Sequence, residues 1–147
     1  MKKYLIVAAS VALFTVSAGL CPAQSDAPYT EGTVWDVTMV RTKPGMDDQY
    51  LKGLAKTFKG NLDEAKKQNL IVSYKILIGS AATPNDFNIM LMVESKNMAA
   101  LDNAREKLDP IAKKIEGSVE QQEQTMTKRL EIREIVGDKL MREVTLK

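Results

Sequence analysis

The chain has 147 residues, with 21 Lys and Arg against 19 Asp and Glu, one cysteine and no histidine. So even a charge balance gives no phosphate-tracking surface and argues against nucleic acid as a partner. The missing histidine excludes histidine-based triads and the usual zinc clusters.

The start of the chain has the layout of a bacterial secretory signal. Lys2 and Lys3 precede an apolar run from Tyr4 to Val16, and Cys21-Pro22-Ala23 offers a small-residue cut site. Residues 1–23 are therefore expected to be a signal peptide cleaved after Ala23, which places the protein in the periplasm or outside the cell. Cleavage would take away the only cysteine and, with Lys2 and Lys3, bring the formal charge from +2 to zero. A lipid anchor at Cys21 wants a small residue before it, and Leu20 is large. The apolar run is too short for a membrane span and no second one follows, so no membrane association is expected after cleavage.

Residues 24–32, with Pro28 and Gly32, read as a flexible tether, and 33–147 as one domain. Thr33 to Thr42 carries β-branched residues in a first strand, which Pro44-Gly45 stops. Asp47 and Asp48 then open an amphipathic helix whose apolar stripe runs Leu51, Leu54, Phe58, Leu62 and Ala65. Lys66 and Lys67 suit its negative end and Asn69 a left-handed cap. Leu70 to Gly79 and Phe87 to Glu94 both alternate in period two and read as strands joined by a turn through Pro84-Asn85. Asn97 can cap a second helix, which Asp109-Pro110 kinks or restarts and Gly117-Ser118 breaks. For residues 121–136 two readings stand: a helix ended by Gly137, or part of a hairpin turning at Gly137-Asp138. Leu140 to Leu146 alternates as a last strand.

Strand, helix, strand, strand, helices, strand is the order of an α+β, ferredoxin-like βαββαβ fold. It implies a four-stranded antiparallel sheet with helices on one face and the first and third strands central. An extra helical segment comes before the last strand. The more apolar parity of each strand is expected to meet the helices: Trp35, Val37 and Met39; Tyr74 and Ile76; Phe87, Ile89, Leu91 and Val93; Leu140, Val144 and Leu146. The open face would then hold Val34, Asp36, Thr38 and Val40; Ile71, Ser73, Lys75 and Leu77; Asn88, Met90 and Met92; Met141, Glu143 and Thr145. This second set is half apolar, too greasy for a face left in water.

The first strand ending in Arg41-Thr42-Lys43-Pro44-Gly45-Met46, the amphipathic helix and the two alternating strands resemble the dimeric α/β-barrel superfamily, over roughly Thr33 to Lys147. The resemblance implies two subunits pressing their open sheet faces together around a small cavity, so a homodimer is expected. It also implies a range of activities, from cofactor-independent monooxygenases to isomerases. Its haem-using members rely on a histidine ligand that this chain does not have. No cofactor and no metal is therefore expected.

Asp36, Lys75 and Glu143 are the charged groups of the open-face set. They read as an acid–base group shifted by burial, or as a cross-strand or intersubunit ion pair that fixes register. With Thr38, Ser73, Asn88, Met90 and Met92, Asp36 and Lys75 make the candidate ligand-binding residues, for a small amphipathic ligand with one polar edge. A site of that kind would need a cavity of roughly 300 Å3 or more between the sheets. Arg129, Arg133 and Arg142, with Glu131, Glu134 and Glu143, read as solvated faces with local ion pairs. Two functions stay open. One is a homodimeric binding or assembly module; the other is a cofactor-independent enzyme acting on an aromatic or quinone-like substrate, with Asp36 and Lys75 as its acid–base groups and Asn88 and Thr38 polarising an oxygen.

Overall fold

The computed structural model describes residues 27–147, so the expected signal peptide lies outside the described residues. The elements run β1 (Tyr29–Thr42), α1 (Asp47–Lys56), α2 (Phe58–Lys67), β2 (Ser73–Ile78), β3 (Ile89–Ser95), a 3-10 turn (Met98–Leu101), α3 (Ala104–Glu116), α4 (Val119–Ile132) and β4 (Arg133–Leu146). The four strands form one antiparallel sheet in the order β2-β3-β1-β4, with β3 and β1 central. This is the ferredoxin-like arrangement.

Local chemistry explains most boundaries. Gly45 takes a positive φ of 76° in the turn between β1 and α1, where a side chain would be strained. Thr57 divides the expected long helix into α1 and α2. Its hydroxyl donates back to the Gly53 carbonyl at 3.1 Å, a bond that bends helices. Asn69 adopts the left-handed conformation just past α2. The Asn97 side chain accepts from the Ala100 amide at 3.0 Å and caps the 3-10 turn. Gly117 ends α3, and Ser118 with Gln121 forms a reciprocal capping box at the start of α4.

The core lies under α1 and α2. Val40, Ile89 and Leu91 of the sheet meet Tyr50 and Leu54, with Leu51, Phe58, Ile76 and Ile132 around them. Phe58 and Tyr74 add an edge-to-face ring contact at 5.8 Å, and the Tyr74 hydroxyl donates to Asp63 at 2.7 Å.

Several boundaries differ from expectation. β1 starts at Tyr29, so the end of the stretch read as a tether is strand paired with β4. α3 continues through Pro110 without restarting. Neither reading of 121–136 holds in full. The helix stops at Ile132, and β4 runs straight through Gly137 without a hairpin. A Cβ at Gly137 would come within 3.1 Å of Met39 Cε, beside the irregularity at Met39/Val40. Gly137 thus leaves room for the tip of the Met39 side chain.

The parity of β1 is the main correction. The register gives three rows on the helix side: Tyr74, Val93, Asp36, Leu140; Ile76, Leu91, Thr38, Asp138; and Ile78, Ile89, Val40, Ile135. The open face carries Ser73, Glu94, Trp35, Met141; Lys75, Met92, Val37, Lys139; and Leu77, Met90, Met39, Gly137. Asp36, Thr38 and Val40 therefore lie on the helix side of the sheet, where Val40 is buried and Asp36 stays exposed, while Trp35, Val37 and Met39 lie on the open side. Both parities of β1 are rich in apolar residues, and Trp35 pulled the expectation the wrong way. Asp36 and Thr38 are tolerated because they pair with β4, which packs mainly on β1 and leaves that edge wet.

Candidate functional site

The seven expected ligand-binding residues divide among three places. Ser73, Lys75, Met90 and Met92 stay together on the open face. Asp36 and Thr38 lie on the opposite side. Asn88 precedes β3 at the end of the sheet, where its Nδ2 donates to Thr42 Oγ1 at 2.7 Å and to Asp47 Oδ1 at 2.8 Å. Its Oδ1 accepts from the Thr42 amide at 3.0 Å. Asn88 thus ties the end of β1 to the first turn of α1 and has no side-chain role on the open face.

On the open face the polar groups gather around Trp35. Lys75 Nζ sits 4.9 Å from the centre of its ring, and the indole Nε1 donates to Glu143 at 3.3 Å. Thr33 donates to the same carboxylate at 3.0 Å, and Ser73 donates to Glu94. Lys75 and Glu143 do share a face, as expected. Asp36 does not join them, so the acid–base pairing of Asp36 with Lys75 is overturned: the strand alternation puts the two carboxylate and ammonium groups on opposite sides of the sheet. Around this polar cluster Met39, Leu77, Met90, Met92 and Met141 form an apolar surface that no described element covers, while Val37 on the same face is buried.

Asp36 instead borders a hollow of about 200 Å3 between the sheet, α2, the 3-10 turn and α3. Leu62, Leu70, Ile71, Val93, Leu101 and Leu108 supply most of its wall, with Ser95 and Lys107 among the polar contributors. The sequence reading placed Ile71 on the open face, but it lies before β2 and turns into this hollow. Partial burial raises the Asp36 carboxyl above its ordinary value, and Asp138 on β4 raises it further. A carboxyl of raised pKa at an apolar wall can accept a hydrogen bond or a proton from a bound hydroxyl. Among the described residues, no group of three or more His, Cys, Asp or Glu comes together to hold a metal ion, and no helix is long and apolar enough to cross a membrane.

A second, larger cleft of about 850 Å3 opens at the sheet end, where β1 enters α1 and α4 passes into β4. Arg41 spans it, donating to the Pro84 carbonyl at 2.7 Å and to Glu134 at 2.6 Å. Arg133, read from sequence as solvated, is buried at 8% exposure, with its guanidinium 5.7 Å from the Tyr50 ring centre. Burial raises the Tyr50 hydroxyl pKa, against the pull of Arg133 and Arg129. No sequence signal marked Arg133, since its burial depends on Tyr50, far away in the chain.

No protein-family model matches the chain, and no curated protein sequence matches it. Solved structures similar to it include HapK from Hahella chejuensis, at 11% identity over 75% of this chain and 91% of that one, with a TM-score of 0.49. A dimeric ferredoxin-like protein from an uncultured marine organism is 10% identical over 80% of this chain and 98% of its own, again with a TM-score of 0.49. Another protein of that description, also from an uncultured marine organism, is 13% identical over 80% and 90%, with a TM-score of 0.47. The strand order β2-β3-β1-β4 carries the fold assignment by itself.

Proposed function

We propose that this chain is an exported homodimeric binding module for a small, mostly apolar ligand with one hydrogen-bonding group, held beneath the 3-10 turn and α3. The observation that carries the reading is the apolar hollow with Asp36 at its wall. Its volume sets the ligand's size: a cavity of roughly 150 Å3 accepts benzene, so about 200 Å3 suits a single ring with a short substituent. Export rests on the leader-like residues 1–23, and intact-mass measurement of the protein recovered from the periplasm or medium tests it. The mass of a chain beginning at Gln24 supports export, and the full precursor mass opposes it.

The homodimer is formed through the open face. Trp35, Met39, Leu77, Met90, Met92 and Met141 would otherwise stay in contact with water, and a second copy gives them an apolar partner. The face also bears Lys75 and Lys139 near Glu94 and Glu143, so a two-fold axis can set each charge against its opposite.

A methyl-detected NMR titration with phenol tests the ligand reading. Saturable shifts at Ile71, Leu101 and Leu108 are expected, weakened several-fold when toluene replaces phenol or when Asp36 is changed to Leu. Phenol at solubility-limited concentration leaving those methyls unmoved would refute it. An enzymatic reading has support in the same carboxyl, which is poised to take a proton from an aromatic hydroxyl without any cofactor. Oxygen uptake or product formation with catechol or hydroquinone, lost in Asp36→Asn, would favour that reading. Binding without turnover would favour the module.

A further inference from the structure

The cleft at the sheet end holds an imbalance of charge that the rest of the fold does not resolve. Its carboxylates are engaged: Glu134 takes Arg41, and Asp47 accepts from Asn88 and Thr42. Arg133 is in a different state. It is more than nine-tenths buried, its Nε finds no acceptor, and none of the ion pairs among the described residues includes it. The Tyr50 ring offers a cation–π contact, which does not replace a hydrogen-bond acceptor. A buried guanidinium nitrogen without an acceptor is costly, and an acceptor from outside the chain can offset that cost. A guanidinium presents its donors as a planar fork that matches two oxygens of a carboxylate or phosphate. The exposed Lys43 adds a second cation to the same lining.

We propose that this cleft binds the oxyanion of a small acidic molecule, a carboxylate or a phosphate, with Arg133 as the anchor and Lys43 at the rim. At about 850 Å3 the space holds a molecule well beyond the oxyanion itself. The site is separate from the hollow at Asp36, so the two can be occupied or emptied independently.

Benzoate and inorganic phosphate are the probes, titrated into the full chain while the Nε–H resonance of Arg133 is followed by nitrogen-15 NMR. A saturable shift with at least one of them is expected, and which one acts identifies the anion class. Lys43→Glu lies on the surface and keeps the fold. It should weaken that binding at least fivefold, and Arg133→Gln should abolish it. Asp36→Asn should leave it unchanged, which separates this site from the phenol-binding hollow. Neither probe moving the resonance, a shift that grows without saturating, or equal affinity in Lys43→Glu would each overturn the proposal.

Discussion

The row Ile78, Ile89, Val40 on one side of the sheet and the row Leu77, Met90, Met39 on the other are built from the same strands, one residue out of step. In the first row Val40 and Ile89 meet Tyr50 and Leu54 and are at 0% exposure, while Ile78, on the edge strand, stays 60% exposed. The second row is covered by no described element: Leu77 is half exposed, and Met39 and Met90 are partly exposed. Burial of Val40 and Ile89 is completed by a helix close by in sequence. Burial of the second row is what the proposed dimer would supply. An apolar strand face therefore does not reveal whether its partner lies in the same chain.

Substitutions on the two faces should behave differently. Leu54→Ala on the covered side should cost about 3 kcal/mol, the usual loss for a buried leucine. Urea unfolding would show that loss at every protein concentration alike. Met90→Glu places an unpaired charge in the proposed seam and should weaken dimerisation about 100-fold, or ~2.7 kcal/mol. Light scattering at micromolar concentration would then report single chains. A Met90→Glu protein that remains fully associated would erase the distinction between the faces.

Between the faces, at the sheet end, Asn88→Ala removes three hydrogen bonds that join β1 to α1. The partly buried site suggests a loss of roughly 1–2 kcal/mol, read as a fall in Tm, without change in the dimer. Least in size is the effect at Asp36. Its carboxyl pKa is raised in the fold, so the native state holds that proton more tightly than the unfolded chain does. Ionisation therefore destabilises the fold as pH rises from the ordinary carboxylate value through the folded one. Asp36→Asn should raise Tm slightly at pH 7, and the gain should vanish below about pH 4. A gain that grows toward acid would contradict the burial of this carboxyl.

Much of the architecture was legible because its signals are local. Pro44-Gly45, Asn69, Asn97 and Gly117-Ser118 punctuate the elements where chain chemistry demands it. β3 could be oriented since Ile89, Leu91 and Val93 contrast clearly with Asn88 and Glu94. β1 could not, because both of its parities are apolar, and alternation reports hydrophobicity without naming the partner. The start of β4 was hidden for a different reason. Arg133 to Val136 suits a helix as well as a strand, and pairing with β1, about 95 residues earlier, decides the matter. The candidate site shared both problems. Asp36 stood out as a charged residue on an apolar strand, but its reversed parity gave it the wrong companions. Arg133 was lost among surface arginines because only the tertiary fold lays it over Tyr50.

Sedimentation equilibrium of the chain across micromolar concentrations tests the central contrast most directly. A mass twice that of one chain, falling to a single chain on Met90→Glu, is the predicted result. A single-chain mass throughout the range would mean that Trp35, Met39, Met90 and Met92 form a surface that water tolerates, and would contradict the account.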